Sequence, residues 1–310
     1  MTTSTTNAIP EPELGIQPPS YRLPDSARIG KAKLAVSQLA RSLEFYRDVI
    51  GLSVLEQSDT SATLGSSSAD TVLLELEAMP EVKPIREGSR LGLYHTAFLL
   101  PSREALSSFV QHLRSKGVPF GAGDHIYSEA LYLTDPDGLS VEVYADRPRS
   151  EWVSEGKELI SAVNAVDFHS LPSVAPGSWR GAPEGTSLGH MHFYVGDLKQ
   201  ASLFYHDGLG LTIMTWRYPG ALFTSAGGYH HHVGLNVWVA NSPVASRTDA
   251  RLLYWELVLP DVVSVQSAAE SLRSAGYIAT PGPEGRLLVT DPWGITVALT
   301  PEDYPVTSSS

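Results

Sequence analysis

Residues 123–142, Gly-Asp-His-Ile-Tyr-Ser-Glu-Ala-Leu-Tyr-Leu-Thr-Asp-Pro-Asp-Gly-Leu-Ser-Val-Glu, decide how the rest of the chain is read. Asp135-Pro136-Asp137-Gly138 has the chemistry of a tight turn, since proline presets one backbone angle and glycine permits a positive one. The segments on either side read as strands, which puts His125, Tyr132 and Glu142 on a hairpin with polar residues facing inward. A carboxylate in the otherwise apolar run Val141-Glu142-Val143 needs a partner to offset its burial. A metal ion would provide one.

Working outward, the hairpin closes a unit that occurs four times. Lys31–Val36 alternates as a strand, and Leu39, Leu43, Tyr46 and Ile50 fall at helical spacing before Gly51. Strand-like runs at 53–55, 62–64 and 72–76 complete a βαβββ module. The second module starts at Tyr94–Leu100, continues through a helix over about 102–116, and ends with the hairpin. Residues 188–195 then lie over residues 29–36 at an offset of 159, as do Phe204-Tyr205 over Phe45-Tyr46 and 272–276 over 113–117. Thr290-Asp291-Pro292-Trp293-Gly294 repeats the turn of the hairpin after a three-residue deletion. Between the two halves, residues 147–187 are rich in proline and glycine and read as a linker, with one short helix near 154–162. Residues 1–28 and 303–310 read as tails.

Composition narrows the function. The 310 residues carry 22 basic and 34 acidic side chains, a formal charge of −12 that disfavours nucleic acid and anionic membranes. With no cysteine, disulfides, zinc-thiolate sites, iron–sulfur clusters and a thiol nucleophile are excluded, leaving His, Asp and Glu as metal ligands. No apolar run approaches the ~18 residues of a membrane span, and no targeting segment is evident, so a cytoplasmic protein is expected.

The module pattern resembles the vicinal oxygen chelate superfamily, in which paired βαβββ units curl into half-barrels around a metal. The hairpin is similar to the signature of the type I extradiol ring-cleavage dioxygenases. The two-domain layout, Gly227-Gly228-Tyr229-His230-His231-His232 and Ser128–Tyr132 look most like the Bacillus-type catechol 2,3-dioxygenases. The resemblance implies an α+β fold of four modules in two domains, 29–146 and 188–302. It also implies Fe(II), with Mn(II) suiting the same ligands, held by two histidines and a glutamate. At the matching positions stand Lys31, then His95 with Glu142, then His190, and finally Tyr254 (or Trp255) with Ala298.

Pairing modules in chain order gives two incomplete ligand sets. Pairing module two with module three unites His95, Glu142 and His190 and leaves Lys31, Tyr254 and Ala298 as a blank site. One complete site is the simpler outcome, so the crossed pairing is preferred, within one chain or between two chains of a homo-oligomer. By the resemblance, His232 takes the acid–base role beside O2, and His125 and Tyr132 hold the oxygens of a catecholic substrate. His192, two residues after His190, shares its strand face and lines the substrate cavity. His112 and His206, on helices, read as solvated. The implied reaction is extradiol cleavage of catechol or a substituted catechol to a hydroxymuconic semialdehyde. A glyoxalase-like lyase or thiol transferase, and a metal-free binding protein of the bleomycin-resistance kind, are the competing readings.

Overall fold

Helix signals recur from module to module. Ser102, Asp197 and Asp261 cap the helices that follow them, their side chains accepting from the backbone N–H of Ala105, Gln200 and Ser264. Gly117 takes the left-handed φ of 66° that stops its helix. The computed structural model describes residues 13–67 and 71–302. Module one comprises β1 (Arg28–Val36), α1 (Leu39–Glu44), β2 (Ser53–Gln57), β3 (Ser61–Gly65) and β4 (Val72–Ala78). Module two comprises β5 (Gly92–Leu99), α2 (Arg103–Lys116), β6 (Gly121–Asp124), β7 (Ser128–Thr134) and β8 (Ser140–Asp146). After a small hairpin, β9 (Ser154–Glu155) and β10 (Glu158–Leu159), module three has β11 (Ser187–Tyr194), α3 (Leu198–Ser202), β12 (Thr212–Thr215), β13 (Ala221–Ser225) and β14 (Val233–Asn236). Module four has β15 (Arg251–Leu259), α4 (Val262–Ser274), β16 (Thr280–Pro281), β17 (Leu287–Thr290) and β18 (Thr296–Pro301).

Two eight-stranded sheets result, in the orders β16-β17-β18-β15-β1-β4-β3-β2 and β12-β13-β14-β11-β5-β8-β7-β6. Module one therefore joins module four through antiparallel β1 and β15, and module two joins module three through antiparallel β11 and β5. The crossing is made within a single chain. Sequence segments 29–146 and 188–302 each contribute one module to each sheet.

Modules adjacent in sequence stay linked across the two sheets. Asp135 folds its own turn by accepting from the N–H of Asp137 and Leu139, and it also receives the hydroxyl of Tyr46 at 3.2 Å. Asp291 repeats this with Trp293, Ile295 and the hydroxyl of Tyr205. Phe193 of one sheet packs on Trp255 of the other with ring centroids 6.0 Å apart, and both are fully buried. Burying two such rings supplies several kcal/mol of driving force for the packing (about 25 cal/mol per Å2).

Some local expectations change. The helix expected over 39–50 is α-helical only to Glu44 and widens to a π-helix over Phe45–Val49. The expected helix near 154–162 is instead the β9–β10 hairpin. Gly156 turns it at φ 63°, and the Glu158 carboxylate accepts the N–H of Trp216 and Arg217. Of the N-terminal tail, the described residues lie mostly on the surface and are anchored at points. Ile16 bridges Ile213, and Leu23 is 1% exposed in the core. The expectations for residues 1–12 and 303–310 lie outside the described residues. His206 is buried rather than solvated, because its Nδ1 binds the Leu211 carbonyl. His112 is half-buried, with Nε2 3.1 Å from the Val49 carbonyl.

Candidate active site

Strand register assembles the site. Ala97 of β5 pairs with Glu142 of β8 on one side and with His190 of β11 on the other. Residues opposite one another share a face, so both functional side chains flank the small Ala97. His95, two residues along β5, emerges on that same face. Its Nε2 lies 3.0 Å from Glu142 Oε2 and 3.2 Å from His190 Nε2, and His190 Nε2 lies 3.3 Å from the same carboxylate oxygen. All three residues are buried.

An ion with ligands at about 2.1 Å has adjacent ligand atoms roughly 3.0 Å apart, so the triangle suits one face of an octahedral site. Two imidazole nitrogens and one carboxylate oxygen converging in a buried space present lone pairs to each other, which a cation relieves and protons can satisfy only in part. Burial opposes charge on Glu142, yet His190 and His95 outweigh it and hold the carboxyl well below the usual range. Burial presses His190 down to about 4, against the pull of Glu142, which keeps its ring neutral and available as a ligand. The residues fit a divalent metal.

The triad opens into a cavity of about 230 Å3. His125 and Tyr132 line it, with His125 Nε2 2.5 Å from the Tyr132 hydroxyl. His125 Nδ1 donates to the Ala162 carbonyl at 2.8 Å, which leaves Nε2 as the acceptor. Ile126, directly after it, takes φ 76°, a strained value for a β-branched residue. Asp124 accepts the Ile126 N–H and is held in turn by Arg147, so the strain is supported by a local network. Burial, with the Glu142 charge, pushes the Tyr132 hydroxyl well above its ordinary pKa and keeps it protonated. His192 also lines the cavity, its ring 4.8 Å from that of His95.

One expected residue is not at the cavity. His232 binds Ser225 Oγ and the Ala226 N–H through Nδ1 and is absent from the lining, while its neighbour His231 is on the wall, with its ring 4.1 Å from His190. Strand alternation could not decide this, because β14 begins only at Val233, and Gly227 and Gly228 both take left-handed angles just before the histidines. Tyr94, Tyr218, Phe223 and Trp238 add aromatic walls, and Ser161 and Val163 come from the segment read as a linker. Nothing in the linker's composition signalled this. At the matching positions of the other sheet, Lys31 Nζ binds Glu75 at 2.5 Å, and Glu75 also accepts from Tyr254 at 3.0 Å.

The fold is one of paired βαβββ modules, and its cavity carries a His–His–Glu set that could hold a metal ion. Residues 28–143 match the model of the Glyoxalase/Bleomycin resistance protein/Dioxygenase superfamily, and the chain belongs to that superfamily. Within it, the chain is 43% identical over 258 residues to the catechol-2,3-dioxygenase of Bacillus subtilis (strain 168), covering 82% of this chain and 90% of that one. A crystal structure from Bacillus subtilis subsp. subtilis str. 168 superposes with a TM-score of 0.63 at 14% identity, over 91% of this chain and 87% of its own. Glyoxalase I from Zea mays does so with a TM-score of 0.53 at 17% identity, over 88% and 92%. These two likenesses concern the fold alone.

Proposed function

We propose that the protein is an extradiol dioxygenase that opens the ring of catechol or a substituted catechol with O2. The observation that carries this reading is the buried His95–Glu142–His190 triangle facing a cavity that also holds His125, Tyr132 and His231. The 43% identity to a catechol-2,3-dioxygenase supports the same substrate class. His95, Glu142 and His190 would hold Fe(II), whose chemistry there would be Lewis acidity toward the substrate hydroxyls and the electron transfer that activates O2. Both atoms of O2 enter the product as the ring bond beside a hydroxylated carbon breaks, giving a hydroxymuconic semialdehyde.

The chain's own groups orient the substrate and move its protons. His125 Nε2, already an acceptor, takes a substrate hydroxyl proton, and the protonated Tyr132 hydroxyl donates to the resulting oxyanion. His231 then serves as the acid–base group in place of His232. The aromatic walls accept the flat ring and exclude water.

The test is anaerobic loading with Fe(II), followed by catechol and air, with the yellow ring-opened product read by absorbance. Glu142→Ala should fail to retain iron. His231→Gln should lose turnover by roughly 100- to 10,000-fold, while His232→Gln keeps most of it. Full activity in Glu142→Ala, or a bound metal with no ring opening in the wild type, would overturn the assignment.

A further inference from the structure

His231 reaches the cavity wall as the end of a chain of contacts. Its Nδ1 lies 2.7 Å from Nδ1 of His230, and His230 Nε2 lies 2.9 Å from Oδ1 of Asp146. Asp146 belongs to module two and the histidines to module three, so the chain crosses the same seam as the metal triangle. We propose that Asp146 and His230 are positioning residues that hold His231 in the tautomer with its proton on Nδ1, presenting Nε2 to the cavity as a lone pair.

The available protons set the tautomer. A carboxylate only accepts, so His230 must donate through Nε2. A neutral His230 then has a lone pair on Nδ1, and the 2.7 Å contact requires His231 to donate its own Nδ1 proton. Burial pushes the His230 pKa below the ordinary value even with Asp146 beside it. Its orientation is enforced by packing. Tyr127 stacks on it at 4.3 Å and 13°, Tyr229 lies 4.0 Å away, and Trp152 meets it edge-on at 5.5 Å. The Tyr229 hydroxyl is itself tied to that of Tyr144 at 2.7 Å, one alternation before Asp146 on β8. These contacts hold the ring in the orientation that sets Nε2 toward Asp146 and Nδ1 toward His231.

The chemical consequence rests on the dioxygenase reading given above. A group that must take up and return a proton at one nitrogen is useful only if that nitrogen starts without one. The opposite tautomer would aim an N–H into the cavity and leave the acid–base step without its base. A carboxylate that fixes an imidazole tautomer is the same physical device that orients the base in hydrolytic triads, here acting through a second imidazole.

The test uses the full chain with 15N-labelled histidine, loaded with Zn(II) as a diamagnetic probe, and identifies the His231 signals by their loss in His231→Gln. The wild type should show a protonated-type nitrogen at Nδ1 and a lone-pair-type nitrogen at Nε2. His230→Phe retains the aromatic stack and removes the acceptor; its His231 signals should move toward the other tautomer. Asp146→Leu should do the same. With Fe(II), both variants should lose kcat by roughly ten- to a hundredfold with catechol KM within about twofold. A wild-type His231 protonated on Nε2, which needs no variant to fold, overturns the proposal, as does His230→Phe with unaltered spectrum and kcat. Failure of the wild type to open catechol, with the tautomer as stated, removes the dioxygenase reading and leaves the positioning role standing.

Discussion

Gly234 stands beside His192 in the parallel pairing of β14 with β11. A methyl group there would lie 2.8 Å from His192 Cγ and 2.9 Å from both Cδ2 and Nδ1. Carbon atoms pack no closer than about 3.5 Å, so the imidazole would have to retreat by roughly 0.7 Å. It has little room to do so. Asn236 Nδ2 donates to its Nε2 at 3.1 Å, and the rings of His95 and Tyr94 lie 4.8 Å and 5.0 Å away. The displacement is therefore passed to His95, a member of the metal triangle. Overpacking of this kind costs about 1–3 kcal/mol, and a shift approaching 1 Å at a reacting geometry lowers turnover by as much as ~100-fold. Gly234→Ala should accordingly lower the urea midpoint, weaken metal retention in a chelator competition and cut catechol turnover by ~10- to 100-fold. Adding His192→Ala removes the clash and should restore at least ~1 kcal/mol of stability in a double-mutant cycle. If Gly234→Ala alone matches the wild type in stability, metal affinity and turnover, the strand has room for a methyl group beside His192 and the clash does not occur.

Two further outcomes test the rest of the fold. Lys31 and Glu75 are each largely buried in the sheet of modules one and four, so Lys31→Met should destabilise the protein by about 1–3 kcal/mol while leaving metal content unchanged; loss of metal would show that the two sheets are coupled more tightly than the contacts indicate. Asp249 is drawn down to about 2, first by its hydrogen bond from Arg90, whose Nε lies 2.8 Å away. A carboxyl lowered in the folded state stabilises fully above its unfolded value of 3.8 and loses that contribution as pH falls through about 2. Allowing for the partial exposure of Arg90, Arg90→Ala should cost about 1–2 kcal/mol at pH 6, and the gap should narrow to about half by pH 3 in urea titrations. A gap that stays constant with pH would place the stabilisation elsewhere.

Much of the site is written in local pattern. Glu142 is conspicuous because it interrupts an apolar strand, and Asp135-Pro136-Asp137-Gly138 names its own turn; Gly138 has φ 86°, and a Cβ there would strike the Ile85 carbonyl at 1.9 Å. His95 and His190 become candidates through their places at the heads of repeated modules. Which histidine of 230–232 reaches the cavity is harder to read. Three adjacent histidines differ only in where an irregular, glycine-rich segment turns them, and periodicity has no value outside regular structure. The linker posed the same difficulty: Ser161 and Val163 reach the cavity through long-range contacts such as the hydrogen bond from His125 to Ala162.

By itself, the sequence determined the four βαβββ modules, their turns and caps, and the residue types able to bind a metal, because these depend on neighbours a few positions apart. It also made the crossed pairing the simpler arrangement, since only modules two and three carry a full ligand set. Tertiary structure alone decided which atoms converge. Strand register across β8, β5 and β11 places Glu142 and His190 on either side of Ala97, and packing brings His230 between Asp146 and His231. Such choices depend on distances between residues far apart in the chain, and those are set only when the sheets close.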